Sequence, residues 1–159
     1  MFNKLKYLFV RNGLKKYIDE LQNPRFRGKF KAPEGVEDKL GILEHQTKPF
    51  ATTLFNLIDK KNMADVDCYK RANIDRKLFS KIRSNENYKP SKNTVFAFAI
   101  ALRLNIDETE DLLVSAGYSL SHSFITDIVV EYFIEKKKYD INLVNIALDE
   151  YKQQPLGRF

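Results

Sequence analysis

Apolar residues recur at helical spacing along most of this chain, and nowhere do they alternate in the period of a half-buried strand. Val10, Leu14, Tyr17, Ile18 and Leu21 mark a first helix over residues 2–21, with Gly13 a weak point inside it. From Gln22 to Thr47 the pattern dissolves among Pro24, Gly28, Pro33, Gly35 and Gly41, which reads as a linker arm. It resumes at Thr47, a candidate cap for a helix that takes Pro49 early and buries Leu54, Leu57 and Ile58. Lys60, Lys61 and Asn62 end that helix. A short helix over 64–72 turns Val66, Tyr69 and Ala72 inward, and Asn73 follows as the turn residue, since asparagine tolerates positive φ. Asp75 caps the next helix, whose core side is Leu78, Phe79 and Ile82.

The same reading continues to the C-terminus. Pro90 delays the next helix and Ser91 caps it, with Val95, Phe98, Ala99 and Leu102 as its apolar stripe. Asp107 and Glu110 are spaced like a capping box for a helix that carries Leu112, Leu113 and Ala116 inward and stops at Gly117. A further helix starts near Ser123, with Ile125, Ile128, Val129, Tyr132 and Phe133 on one face and Lys136, Lys137 and Lys138 at its end, where positive charge suits the helix dipole. Asp140 opens a last helix carrying Leu143, Ile146, Ala147 and Tyr151. The fold class predicted is all-α: an N-terminal amphipathic helix over 1–21, a basic linker arm over 22–47, and a helical domain over 48–157.

Charge sharpens this outline. The net charge of +6 is uneven, with twelve basic against six acidic residues in 48–107 and five against nine in 108–159. Between Lys70 and Lys92 stand Lys70, Arg71, Arg76, Lys77, Lys81, Arg83, Lys89 and Lys92, opposed only by Asp75 and Glu86. Such a cluster raises the local potential and suits an anionic partner, although a solvated helix face carries charge too. In the arm, Arg25–Lys31 interleaves basic residues with Phe26 and Phe30, a composition able to lie on phosphates or stack on bases and equally able to tack the arm to its own domain.

Candidate chemistry is sparse. One cysteine, Cys68, allows no disulfide within the chain. His45 and His122 are far apart and give no zinc-ligand spacing with it. No phosphate-binding glycine loop occurs, and the acids Asp107, Glu108, Glu110 and Asp111 read as a helix start. We therefore expect no enzyme activity, no cofactor and no metal. The absence of a long apolar run or a secretory signal leads us to expect a cytoplasmic protein without membrane insertion.

Residues 51–113 resemble the Cro/C1-type (XRE-like) helix-turn-helix domain. The likeness rests on MADVDCYKRANIDRKLFSKI (63–82), with the length and rhythm of that family's second and third helices, and on KPSKNTVFAFAIALRLNIDETEDLL (89–113), which looks like its closing pair. Residues 50–157 as a whole resemble an uncharacterised bacterial helical module that can follow other domains, such as macro domains, on the strength of GYSLSHS (117–123), VVEYFIE (129–135), YDI (139–141) and QPLG (154–157). The first resemblance implies a five-helix Cro/C1-like bundle, here with two additional C-terminal helices. It implies that the helix over 76–83 enters the major groove of duplex DNA. Arg76 and Lys77 then meet base edges at its N-terminal end, and Ser80, Lys81 and Arg83 lie along it. Lys70, Arg71, Lys89 and Lys92 would contact phosphates. The sequence departs from the family in placing Tyr69 where a small residue is usual, Asn73 where glycine is usual, and Asp65 and Arg76 about where glutamines begin the two helices. Tyr69 asks for extra room between the helices.

Two functions follow from these features. The first is a DNA-binding transcriptional regulator, with a homodimer among its expected states because two half-sites are commonly read by a dimer. The alternative is a helical interaction or adaptor module without DNA readout, meeting a protein partner through residues 1–47 or the C-terminal helices.

Overall fold

The structure, a computed structural model, describes residues 2–23 and 48–157. Every regular element among them is a helix: α1 (Phe2–Gln22), α2 (Phe50–Lys60), α3 (Asp65–Arg71), α4 (Arg76–Ser84), α5 (Lys92–Ala101), α6 (Ile106–Ser115), α7 (Ile125–Glu135) and α8 (Ile141–Glu150). The all-α expectation is met. The arm sequence around Arg25–Lys31 and the candidate cap Thr47 lie outside the described residues.

The core forms around α5. A helix that is apolar on every side must be enclosed on every side, and each residue from Val95 to Ala101 is buried. The stripe expected from Val95, Phe98, Ala99 and Leu102 is thus only part of a stretch, Val95–Ala101, enclosed on every side. The helix packs against α3, α6 and α8, while α2 lies on α6 and α7 joins α6 to α8. The first helix is built into the same core. Tyr7, Val10, Leu14, Ile18 and Leu21 face α7 and α8. Gly13 is explained by this packing: a Cβ there would run into Tyr132 Oη. Along the α1–α8 seam, Tyr7 donates a hydrogen bond to Glu150, which also pairs with Arg11 at 2.6 Å. The Tyr7 hydroxyl is held well above its usual pKa by burial first and by Glu150 second.

Helix starts follow side-chain chemistry. Asp75 accepts from the Leu78 N–H at 2.7 Å, Ser91 from the Thr94 N–H at 3.2 Å, and Asp140 from the Asn142 N–H at 3.0 Å. Three expected starts are corrected. Pro49 is itself the residue before α2, not a position within it, and its carbonyl accepts from the Thr53 N–H. The capping box of α6 is Asn105 with Glu108, two residues before the Asp107–Glu110 pair expected. Leu104 is wholly buried, so the chain leaves the core with Asn105 already at the cap position. Finally, α7 begins at Ile125 after Phe124, not at Ser123, because Ser121 and Ser123 are drawn into a local turn.

Six helices end in one way. Asn62, Asn73, Arg103, Gly117, Lys137 and Lys152 all stand at positive φ, between 52° and 84°. At the α3 end the Asn73 N–H bonds the Lys70 carbonyl at 3.1 Å and the Ile74 N–H bonds Tyr69 at 2.9 Å. Paired bonds of this kind satisfy carbonyls that would otherwise be orphaned at the helix terminus. Arginine or lysine in this conformation costs on the order of 1 kcal/mol relative to glycine. Burial of the next residue, as with Leu104 after Arg103 and Ile74 after Asn73, helps hold the turn.

Candidate nucleic-acid interface

The basic stretch divides between α3, α4 and the start of α5, and the structure treats its members differently. On α4, Phe79 and Ile82 are buried and Leu78 is half-buried. Phe79 is the anchor: its ring meets Phe55 of α2 at 5.7 Å, Tyr69 of α3 at 5.3 Å and Phe98 of α5 at 6.2 Å between centroids. At about 100° per residue, Arg76, Lys77, Ser80 and Ser84 share the opposite arc. All four are exposed. Arg76 and Lys77 have no ion-pair partner among the described residues.

Lys81 is also exposed, with its ammonium 5.6 Å from the Tyr88 ring centre. Arg83 is committed within the fold. Its guanidinium donates to Asp65 at the start of α3 and lies 4.0 Å above the Phe55 ring. The acid at Asp65 is therefore neutralised by its own neighbour. Lys92 is committed as well: its ammonium is 2.5 Å from Oδ2 of Asp127, a carboxylate only 2% exposed that also accepts from the Ser121 N–H at 2.9 Å. Lys70, Arg71 and Lys89 are exposed. Tyr69 obtains the room it needs by staying half-buried and tilting against Phe79. Asn73 takes the expected left-handed turn at φ 55°, and Val66, expected inward, is 46% exposed. It lies on the outer side of α3, because Cys68 and Ala72 fill the inner one.

The groups with possible reactivity are accounted for by packing. Cys68 is fully buried, and burial, followed by the charge of Asp65, pushes its thiol up to about 12. His122 pairs with Glu131 at 2.7 Å; burial holds that carboxyl above its usual range while the histidine opposes the shift. No group of three or more His, Cys, Asp or Glu residues able to hold a metal occurs among the described residues.

A feature missed in the sequence is the continuation of the basic surface beyond α3. Lys70, Arg71 and Asn73 line a cavity together with Arg103, Lys137 and Lys138. The run Lys136–Lys138 was visible, but as a helix-end charge it pointed to the dipole and gave no hint of what it faces.

No family model, no curated protein and no solved structure matches this chain. The class its described residues define is all-helical, and none of the described helices is long and apolar enough to cross a membrane.

Proposed function

We propose that this protein is a DNA-binding regulator of the Cro/C1-like helix-turn-helix kind, with α4 as its major-groove helix. The observation that carries the reading is the outward arc of Arg76, Lys77 and Ser80 on a helix clamped from behind by Phe79 and Ile82. A rigid helix offering cations without internal partners can meet guanine O6 and N7 without first breaking an ion pair. Lys70, Arg71, Lys81 and Lys89 serve phosphates in this reading. Arg83 and Lys92 move from the contact set to a positioning role, since each is already paired. The protein acts in the cytoplasm on duplex DNA, and no reaction is assigned to it.

The test is a duplex titration at several salt concentrations. Affinity should fall with rising salt, with a log–log slope of about −0.9 per phosphate contact. Arg76→Ala with Lys77→Ala should abolish preference among duplex sequences while leaving the helical fold intact. Unchanged preference in that double variant would move recognition to another surface.

One observation favours the adaptor reading. Leu5, Leu8 and Phe9 of α1 are 55%, 55% and 91% exposed, although the other face of the helix is buried. A protein partner would then meet this outer face of α1, since α7 and α8 already cover the inner one. Loss of partner binding in Leu5→Ser/Leu8→Ser, with DNA affinity absent in the parent chain, would select this alternative.

A further inference from the structure

Cations far apart in sequence converge on a cavity of about 940 Å³. Lys70 and Arg71 come from the end of α3, Arg103 from the turn after α5, and Lys137 and Lys138 from the turn after α7, with Lys6 of α1 beside them. Asp140 is the one acid in the described lining, and its carboxylate already caps α8 by accepting from the Asn142 N–H. Lys70, Arg71, Arg103, Lys137 and Lys138 are all exposed, and none is in an ion pair among the described residues.

Positive charges gathered around a hollow repel one another, and a bound polyanion relieves that repulsion. Two of them also occupy strained backbone. Arg103 and Lys137 both stand at φ 53°, a conformation that Asn73 and Gly117 hold with less strain at equivalent helix ends. The lining includes Phe9, a residue 91% exposed that adds an apolar aromatic group to it. The volume suits a ligand of nucleotide size and far exceeds a single phosphate.

We propose that this cavity binds a small ligand bearing a polyphosphate chain, held by Lys70, Arg71, Arg103, Lys137 and Lys138. The proposal stands apart from groove recognition by α4, although Lys70 and Arg71 belong to both surfaces.

Calorimetric titration of the full chain with sodium tripolyphosphate and, separately, with ATP tests it. Both should bind, and Arg103→Gly and Lys137→Gly should each weaken binding about tenfold, the scale of one charge-assisted hydrogen bond. Glycine accepts the left-handed turn, so these variants keep the fold. Lys152→Gly is the control: it removes a cation from the same kind of helix end, at φ 56°, outside the cavity lining. Its binding should equal that of the parent. Tighter binding of ATP, with the surplus lost in Phe9→Ala, assigns the ligand to nucleotides; equal binding assigns it to the inorganic chain, and either supports the site. Silence with both titrants overturns it, as does equal weakening by Lys152→Gly. So does a fall in duplex DNA affinity in Arg103→Gly when neither small polyphosphate binds, which would make the cavity part of a nucleic-acid track.

Discussion

Lys92 and Glu108 show how a charged side chain changes meaning once its surroundings are known. Lys92 belongs to a basic run in the sequence, yet it neutralises the buried Asp127. Removing one member of such a pair leaves an uncompensated charge in the interior, at a cost of about 3 kcal/mol or more. Lys92→Met should therefore lower the urea midpoint strongly, and Lys92→Met with Asp127→Asn should recover most of the loss, since asparagine can still accept from Ser121. Equal loss in single and double variants would mean that the charge pair is not the cause.

Glu108 is pulled two ways: burial raises its carboxyl, but hydrogen bonds from Lys61 and the Asn105 N–H, with the charges of Lys61 and Lys60, outweigh it and hold the carboxyl below the ordinary 4.5. A lowered folded-state pKa means stability that is present above 4.5 and is lost as pH falls through the folded value. The stability gap between the parent chain and Glu108→Gln should thus be widest near neutral pH and close in acid. Denaturant midpoints across that range would show it, and a gap independent of pH would contradict it.

At the scale of the element, α4 depends on a few residues. Its start rests on the Asp75 carboxylate and its seat on Phe79 and Ile82. Asp75→Ala should cost about 1 kcal/mol of stability by leaving first-turn amides unsatisfied, measured by chemical denaturation. Asp75→Ser, which keeps a capping oxygen, should recover most of it. The capping residues Asp75, Ser91 and Asp140 were legible because a short polar side chain before an apolar period has few other uses. The left-handed ends at Arg103, Lys137 and Lys152 were not, because neither residue type prefers that conformation. There the pull of the following residue into the core or onto a paired hydrogen bond decides the backbone.

Across the whole molecule, α1 is tied to the C-terminal helices α7 and α8, and the C-terminal segment is tied to the middle of the chain. The C-terminal segment returns to the turn between α3 and α4. Leu156 is fully buried and exchanges hydrogen bonds with the Asn145 side chain, at 2.7 and 3.1 Å. Gly157 follows at φ 79°, and a Cβ there would lie 2.6 Å from the Ala72 carbonyl oxygen and 2.7 Å from that of Asn73. Gly157→Ala should cost about 1–3 kcal/mol through this clash and the strained φ. Thermal unfolding would register the loss, whereas an unchanged transition would show that the tail does not bear on the turn.

The amino-acid order by itself determined that this protein is helical, where most helices begin, and most of the apolar residues that turn inward, because helical period and capping are local properties of neighbouring residues. It also marked the cluster of cations between Lys70 and Lys92. Tertiary structure decided which of those cations remain available. Arg83 and Lys92 are taken by Asp65 and Asp127, 18 and 35 residues away, and the cavity cations assemble from three separate helix ends and α1. Charge pairing and enclosure depend on distance in space, and only the packing of the helices on one another sets those distances.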